Sequence, residues 1–339
     1  MGKLGRQVHI LAVYPMVTDP TSYYRGAGAF GALRKQFKSE IDIKITIPTH
    51  VNWSVMADVD IVFLQRPSGQ DSITVQDIAR RCGVPVWVDY DDSFLDIEDD
   101  NPNFAAYDDA ETRANVKQLI GLADIVSVST QYLGTRIFPL ASKDSVKAVI
   151  PNAWNDYIYP NFAPKCKAEY KRVMWRGTAT HFRDVMDVGD DIIQIASEHP
   201  DWTFEFIGWS PWWIARKIKN CVSTPAQHIL SYMDSLADKE CSVLIAPLAD
   251  THFNRAKSNI AGLEATHAGA SIIAPDFEEW KIPGFVTYKE GQFADTLRRV
   301  MNDEKRKDNF SVAKDHIKSK LLLSQINPIR MDILAPFSV

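Results

Sequence analysis

Short runs of apolar, β-branched residues alternate along the chain with longer stretches of helical periodicity. The first of these runs, VHILAVY, has the composition of a buried strand. In the first half the pattern predicts helices at about 28–38, 72–82 and 109–122, another from Gln131, and strands at 8–14, 41–47, 60–65, 84–92, 123–130 and 147–154. Strands separated by helix-length segments predict a parallel sheet with crossover connections.

The pattern pauses at residues 155–171, which are rich in Pro, Tyr and Lys, and then starts again. The second half predicts strands at 171–177, 203–209, 241–248 and 271–275, and helices at about 184–198, 228–237, 257–268, 291–303 and 307–323. A chain of 339 residues is also long enough for two domains. We therefore predict one domain at 1–160, a second at 161–320, and a tail at 321–339 that returns to the first domain.

Composition narrows the class of protein. A hydrophobic content of 45% and a charged content of 24% are ordinary globular values, and no run of 18 apolar residues predicts a membrane span. The four cysteines form no CxxC motif and no Cys/His cluster, which argues against structural zinc and disulfides and favours a cytoplasmic location. The net charge of -5 gives no overall attraction to nucleic acid or to an anionic membrane.

Ligands of open α/β sheets bind beyond the carboxyl ends of the strands. Two such domains that face each other therefore predict a site in the cleft between them. The most informative segment near such a strand end is PLADTHFNRAKSNIAGLEATHAGASIIAP, which runs from a strand through a polar loop and a helix to the next strand. A helix N-terminus attracts phosphate, to which Lys257 adds a cation and Ser258 a hydroxyl. Glu264, two turns later, can accept hydrogen bonds from a vicinal diol.

This segment resembles the nucleotide-sugar-binding motif of retaining GT-B glycosyltransferases of the group 1, family 4-like kind. The resemblance implies that Glu264 binds the ribose hydroxyls and that Lys257, Ser258 and Asn259 form the diphosphate loop. The sequence departs from the family at Ala256, where a first glutamate normally faces the donor sugar.

The segment VMWRGTATHFRDV resembles the loop after the first strand of the C-terminal domain in the same family. The resemblance implies that this loop brings basic residues and a small residue to the donor diphosphate. Gly177 allows a close backbone approach. The candidates for donor contacts are Arg176, Gly177, Thr178, His181 and Arg183.

The loop DPTSYYRGAGAFGAL permits two interpretations. Gly26, Gly28 and Gly31 fit G-x-G-x-x-G, which suggests dinucleotide binding and an NAD-dependent oxidoreductase. That hypothesis also requires an acidic residue near the end of the second strand, where the sequence has Thr-Ile-Pro. The GT-B interpretation places the loop at the cleft, with Tyr23, Tyr24 and Arg25 near the donor phosphate or the acceptor.

Three aspartates, Asp89, Asp91 and Asp92, crowd the end of the strand predicted at 84–92. A D-x-D pair can hold a divalent metal against a diphosphate, as in GT-A glycosyltransferases, but a GT-A enzyme has a single mixed-sheet domain. We therefore expect these residues on the acceptor side and predict no metal site. If the reaction inverts the anomeric configuration, Asp91 is our candidate for the general base.

Taken together, the sequence predicts the GT-B fold, in which two Rossmann-like domains with parallel sheets face each other across a cleft. The resemblance implies a retaining glycosyltransferase that uses a nucleotide-diphosphate sugar and no cofactor. Arg176 and Lys257 are the candidates that stabilise the leaving group. The acceptor is a glycan or, since the compact chain also resembles phage-encoded enzymes, a hydroxymethylated DNA base. A non-catalytic nucleotide- or sugar-binding protein is the alternative that Ala256 favours. The donor sugar, the base and the oligomeric state are left open.

Overall fold

The computed structural model describes residues 6–16, 19–102, 104–163, 166–302 and 305–337. Within these residues the chain forms two six-stranded sheets, and every neighbouring pair of strands is parallel. The alternation of strands and helices in the sequence predicted parallel sheets, and this prediction is confirmed. Among the described residues no helix is long and apolar enough to cross a membrane.

The first sheet has the strand order β2-β1-β3-β4-β5-β6. Its central strands β3, β4 and β5 are buried along their whole length because helices cover both faces. The strands are β1 (Val8–Val13), β2 (Ile41–Thr46), β3 (Ile61–Gln65), β4 (Val86–Tyr90), β5 (Ile125–Val128) and β6 (Val146–Val149). The helices are α1 (Pro20–Tyr24), α2 (Ala27–Gln36), α3 (Gln70–Arg81), α4 (Phe104–Tyr107), α5 (Ala110–Gly121) and α6 (Gln131–Ile137).

The second sheet has the order β12-β11-β10-β7-β8-β9. Its strands are β7 (Arg172–Gly177), β8 (Thr203–Gly208), β9 (Cys221–Pro225), β10 (Val243–Ile245), β11 (Ser271–Pro275) and β12 (Val286–Tyr288). The helices are α7 (Phe182–Met186), α8 (Gly189–Glu198), α9 (Trp212–Ala215), α10 (Ile229–Asp238), α11 (His252–Arg255), α12 (Ile260–Ala268), α13 (Phe293–Asn302), α14 (Arg306–Lys320) and α15 (Leu323–Leu334). Helix α15 leaves the second sheet and packs on α2 beside the first.

Each sheet and the helices packed on it form one unit, called the first and the second unit in chain order. The two units exchange side chains across their interface. Tyr23 and Tyr24 of the first unit pack into an apolar cluster of the second. In return, Phe253 and Ala256 pack into the core of the first unit. The Thr130 hydroxyl also donates to the carbonyl oxygen of Ala256 at 2.9 Å. These contacts join the two units on the side where the carboxyl ends of the two sheets face each other.

Several predicted boundaries were wrong for identifiable reasons. The strand predicted at 147–154 ends at Val149, because Pro151 has no N–H for the ladder and Trp154 bonds instead with the returning chain at 321–323. The helix predicted at 257–268 begins only at Ile260, after the separate short helix α11. It ends at Ala268, and the following Gly269 caps it with a φ of 81°, which favours glycine.

The pattern also missed some elements. The short edge strand β9 has exposed residues and no apolar run, and β12 has only three residues. Helix α15 contains Pro328, which the pattern treats as a helix breaker, and α14 ends at Lys320 rather than 323. The last residue of the helix predicted at 291–303 lies outside the described residues.

Candidate functional site

A cavity of about 190 Å³ lies between the carboxyl ends of the two sheets. The first unit contributes α1 and the residues directly after β4, and the second contributes the ends of β7 and β10 and the start of α12. This is where ligands bind in open parallel sheets. The lining residues are Pro20, Thr21, Tyr24, Asp91, Asp92, Trp175, Arg176, His181, Leu244, Ile245, Ala246, Pro247, Leu248, Lys257, Ser258, Ile260, Ala261, Glu264 and Trp280.

The cavity brings together eight of the residues that the sequence singled out. They come from both halves of the chain, and the largest separation in sequence between them is that of Tyr24 and Glu264. The eight are Tyr24, Asp91, Asp92, Arg176, His181, Lys257, Ser258 and Glu264. Tyr23, Arg25, Asp89, Gly177, Thr178 and Asn259 are not part of the lining.

Glu264 is the most heavily hydrogen-bonded residue of the cavity wall. It is 2% exposed, and its Oε1 accepts a hydrogen bond from the Tyr24 hydroxyl at 3.0 Å. Its Oε2 accepts from Arg176 Nε at 2.7 Å and from the Tyr232 hydroxyl at 3.0 Å. Burial opposes the charge on Arg176, but the Glu264 carboxylate raises the pKa of Arg176 above its usual value. Two phenol hydroxyls thus occupy the places where a vicinal diol can bond to this carboxylate.

Lys257 and Ser258 lie just before α12. Lys257 Nζ is 3.6 Å from Asp92 Oδ1 and 4.4 Å from the centre of the Phe253 ring. Ser258 Oγ accepts a hydrogen bond from Asn152 Nδ2 at 2.7 Å. The N-cap residue Asn259 makes no capping hydrogen bond with its side chain to the start of α12, whose first residues Ile260 and Ala261 line the cavity. A free helix N-terminus and a lysine beside it form a surface that attracts an anion.

Arg66, which the sequence did not single out, holds the two aspartates of the cavity. Its Nε lies 3.1 Å from Asp91 Oδ1 and its Nη2 lies 3.4 Å from Asp92 Oδ2. It also donates to the Thr21 hydroxyl at 2.7 Å and lies over the Phe94 ring. Its φ of 49° is the only positive value among non-glycine residues in the described ranges, and such strain is often found at functional sites.

Asp91 and Asp92 have different electrostatic environments. Burial raises the pKa of Asp91 to about 6, although Arg66 opposes the shift. Burial also acts to raise the pKa of Asp92, but Lys257 and Arg66 hold it below its usual value. Asp92 is therefore a permanent anion at neutral pH, while Asp91 is the carboxylate that can exchange a proton. Neighbouring acids with separated pKa values are typical of acid–base sites.

His181 is held by a buried aspartate. Its Nδ1 lies 2.7 Å from Asp184 Oδ2, and Asp184 Oδ1 accepts from the backbone N–H of Ala249 at 2.8 Å and from Asn254 Nδ2 at 2.7 Å. Burial lowers the pKa of His181 even though Asp184 acts to raise it. The ring is therefore mainly neutral at pH 7, with Nδ1–H donated to Asp184 and Nε2 left as an acceptor.

The expectation that Arg25 and Asp89 face the donor or the acceptor is corrected. Each is 2% exposed, and they form a two-point ion pair inside the first unit, with Arg25 Nε 2.9 Å from Asp89 Oδ2. Asp89 also accepts from the Ser127 hydroxyl at 2.5 Å. Tyr23 is corrected in the same way, because its ring is buried in the interface and its hydroxyl has no hydrogen-bond partner among the described residues.

Three donor-side candidates lie beside the cavity rather than in its wall. A Cβ at Gly177 would lie 2.7 Å from the Trp175 ring, so this glycine makes room for Trp175 and His181. Thr178 is exposed and bonds to the Thr180 hydroxyl at 2.7 Å. Asn259 is buried, and its Nδ2 donates to Glu279 Oε1 at 3.2 Å.

The structure does not favour a dinucleotide site at Gly26, Gly28 and Gly31. A Cβ at Gly26 would lie 2.1 Å from the Gln65 side chain, and one at Gly28 would lie 2.2 Å from the Tyr23 carbonyl oxygen. Protein atoms therefore already occupy the space beside Gly26 and Gly28, whereas a Cβ at Gly31 would have nothing within 4 Å. Helix α1 also separates the glycines from the end of β1.

The cavity contains further residues that the sequence analysis missed. Trp175 and Trp280 form part of its wall, and the buried indole N–H of Trp280 has no partner within the described part of the chain. Tyr232 supports Glu264 from α10. None of these has a local sequence signal, because each is an apolar or aromatic residue in an ordinary strand or helix context. In the described ranges no group of three or more His, Cys, Asp or Glu residues is arranged to hold a metal ion.

Known proteins were compared at the level of sequence and of structure. No protein-family model matches the chain, and no curated protein matches it. HepE from Anabaena, in complex with UDP and glucose, is similar in structure over 96% of this chain and 99% of its own, with a TM-score of 0.69 and 12% identity. An α-glucosyltransferase in complex with UDP-glucose and DNA containing an abasic site is similar over 97% and 99%, with a TM-score of 0.66 and 12% identity.

TarM is similar over 83% of this chain, with a TM-score of 0.62 and 12% identity, and this chain spans only 56% of TarM's length. At such identities the similarity establishes architecture rather than activity. The two parallel six-stranded sheets, the cavity between their carboxyl ends and the match over almost the whole chain agree on one architecture. The chain has the GT-B fold.

Proposed function

We propose that this chain is a glycosyltransferase that moves a sugar from a nucleoside-diphosphate sugar to a hydroxyl acceptor. One observation carries the proposal: Arg176 and Lys257 lie in the same cavity as the uncapped start of α12 and the Glu264 carboxylate. Two cations and a helix N-terminus suit a diphosphate, and a carboxylate at the same site suits the ribose diol.

The proposed donor is a UDP-sugar. HepE and the α-glucosyltransferase, which share the fold over nearly their full length, are described in complex with UDP and glucose and with UDP-glucose, respectively. In our proposal the diphosphate lies between Lys257 and Arg176, with Ser258 as a further hydrogen-bond donor. These groups are fixed before the reaction and stabilise the negative charge that develops on the leaving diphosphate. We propose no metal and no cofactor for this step.

The proposed acceptor side is the wall formed by Asp91, Asp92 and Arg66. The pKa of Asp91 is about 6, so its carboxylate is ionised at neutral pH and can still accept a proton. The resemblance to family 4-like enzymes implies that the anomeric configuration is retained, and we propose retention on that ground. An inverted product in NMR spectra would instead assign Asp91 the role of the base that activates the attacking hydroxyl.

A glycan is the acceptor that we propose, and DNA is the second candidate. DNA is retained because the α-glucosyltransferase with the same fold is described in complex with DNA. Incubation with a UDP-sugar and either oligosaccharides or hydroxymethylcytosine-containing DNA distinguishes the two acceptors by which one gains mass.

The donor site is tested by thermal-shift measurements with four nucleoside diphosphates, UDP, GDP, ADP and CDP, and with NAD for comparison. We expect at least one nucleotide to raise the melting temperature, and we expect Glu264→Ala to abolish that shift. Glu240→Ala is the matched control, because Glu240 is exposed and lies outside the cavity. A shift that persists in Glu264→Ala rejects the ribose assignment, and a shift with NAD alone rejects the proposed donor class.

Ala256 is the residue that favours a non-catalytic binding protein over an enzyme. It is fully buried, and its carbonyl oxygen is bonded to Thr130 of the first unit, so it offers no side chain to a donor sugar. Release of UDP from a panel of UDP-sugars, measured with and without acceptor, separates the two functions. Binding of UDP without turnover of any sugar on the panel would favour the non-catalytic function.

A further inference from the structure

A series of polar side chains connects the interior of the first unit to the cavity wall of the second. Arg25 contacts Asp89 through two nitrogens, Nε at 2.9 Å and Nη2 at 2.5 Å. Arg25 Nη1 donates to Asn152 Oδ1 at 3.3 Å, and Asn152 Nδ2 donates to Ser258 Oγ at 2.7 Å. Asp89, Arg25 and Asn152 are each 2% exposed, and Ser258 lines the cavity.

This arrangement fixes which way the Asn152 amide points. Arg25 is only a donor, so the atom of Asn152 that faces it must be the carbonyl oxygen. The amide nitrogen is then directed at Ser258, where it donates. The backbone carbonyl of Ile150 also accepts from Arg25 Nη1, and Asp89 holds the other side of the guanidinium. The side chain that orients Asn152 is therefore itself held on three sides.

The consequence appears at the Ser258 hydroxyl. A hydroxyl has a single hydrogen, and Ser258 Oγ uses an oxygen lone pair to accept from Asn152. Its hydrogen is therefore free to be donated into the cavity. We propose that Asn152 is a positioning residue, which acts through Ser258 by directing this hydrogen toward the diphosphate of the donor. The inference rests on the proposed function, since it requires a diphosphate at this site.

Asn152 and Ser258 belong to different units. Asn152 follows β6 of the first sheet, whereas Ser258 precedes α12 beside the second. Ser258 therefore has this orientation only when the two units are docked. The donor contact made by the second unit is completed by a residue of the first, so that closure of the cleft and recognition of the leaving group become one event.

The test uses Asn152 and Ser258 rather than the buried ion pair. Removal of Arg25 or Asp89 leaves an unpaired buried charge and endangers the fold. We expect Asn152→Ala and Ser258→Ala each to weaken UDP binding about tenfold, measured by calorimetry on the full chain. If Asn152 acts through Ser258, the double variant should also lose about tenfold rather than a hundredfold. Asn155→Ala, another buried asparagine of the same segment, should leave UDP affinity unchanged.

Asn152→Asp separates orientation from packing. The aspartate has nearly the same shape, so a purely structural role predicts a smaller loss than for Asn152→Ala. Orientation predicts a larger loss, because a carboxylate accepts the Ser258 hydrogen and adds negative charge near the diphosphate. Folding of each variant is checked by its melting temperature without ligand.

The outcomes differ for the two proposals. If UDP binds the wild-type chain and the losses in the double variant simply add, or Asn152→Asp binds as well as wild type, the role of Asn152 is overturned while the proposed function stands. If the wild-type chain binds none of the four nucleoside diphosphates, both are overturned. Non-additive losses, together with the larger effect of Asn152→Asp, support both.

Discussion

The hydroxyl of Tyr24 donates to Glu264 Oε1 at 3.0 Å across the interface between the two units. If Glu264 binds the donor ribose, a ribose hydroxyl has to compete with this phenol for the same carboxylate oxygen. Tyr24→Phe removes the hydroxyl and leaves the ring, which packs in the apolar cluster of the second unit. The substitution therefore removes the competitor with little change to the packing around it.

The size of the effect follows from the geometry. A hydrogen bond to a charged group contributes about 1.5–3 kcal/mol, and Glu264 is almost completely buried, so water cannot replace the lost donor easily. In the wild-type chain the nucleotide has to break this bond, whereas in Tyr24→Phe it does not. We expect UDP to bind the variant about tenfold more tightly or better, since about 1.4 kcal/mol corresponds to a factor of ten. The ligand-free variant should melt at a lower temperature than wild type.

Calorimetric titration with UDP measures the affinity, and thermal denaturation without ligand measures the stability. Tyr23→Phe is the control, because the neighbouring Tyr23 hydroxyl has no hydrogen-bond partner in the described part of the chain. It should change neither quantity. Tyr24→Phe with lower stability but unchanged or weaker UDP binding would refute the idea that the Tyr24 hydroxyl occupies the ribose position.

Three further predictions concern the charged residues of the cavity. Lys257→Met should lower kcat/KM about 10²–10³-fold in steady-state kinetics, because it removes a cation from the proposed leaving-group site. Thermal denaturation should show little change in melting temperature, because Asp92 lies 3.6 Å from Lys257 and keeps Arg66 as a partner. If Asp91 is the base, its pKa of about 6 means that its basic form is lost as the pH falls, so log kcat/KM should decrease with unit slope below about pH 6. Arg66→Gln should move this decrease of kcat/KM to higher pH, because the positive charge of Arg66 lowers the pKa of Asp91. If the decrease stays at the same pH, a group other than Asp91 causes it.

The sheets and the second-unit half of the site were the parts most accessible from sequence. Lys257, Ser258 and Glu264 belong to one contiguous segment, so a local motif is enough to place them together. Strands such as β3 and β4 are apolar along most of their length and leave little ambiguity in the pattern. Arg66 lacked such a signal: its importance depends on contacts with Asp91 and Asp92, which follow a different strand.

The errors at Asp89 and Arg25 have a common cause. In a strand, residues two apart face the same side, so the pattern gives Asp89 and Asp91 the same orientation. However, β4 ends at Tyr90, and the chain turns before Asp91, which leaves Asp89 in the interior and Asp91 in the cavity. Sequence alone could not show where the strand ends to within one residue. Nor could it show that an arginine 64 positions away neutralises the buried aspartate.

The cavity between the two units is small and is bordered by contacts between them. Small-molecule sites commonly enclose about 300–1,000 Å³, and the cavity of about 190 Å³ is below this range. Three contacts between the two units border this space: the bond from Tyr24 to Glu264, the contact of Asp92 with Lys257 and the bond from Asn152 to Ser258.

These three contacts differ in whether a bound donor would compete with them. In our proposal Glu264 and Lys257 bind the donor, so their contacts with the first unit compete with it and have to be exchanged for it. Ser258 only accepts from Asn152, which leaves its hydrogen available, so this contact is compatible with a bound donor. In our proposal a bound donor therefore replaces two of the three contacts and keeps the third.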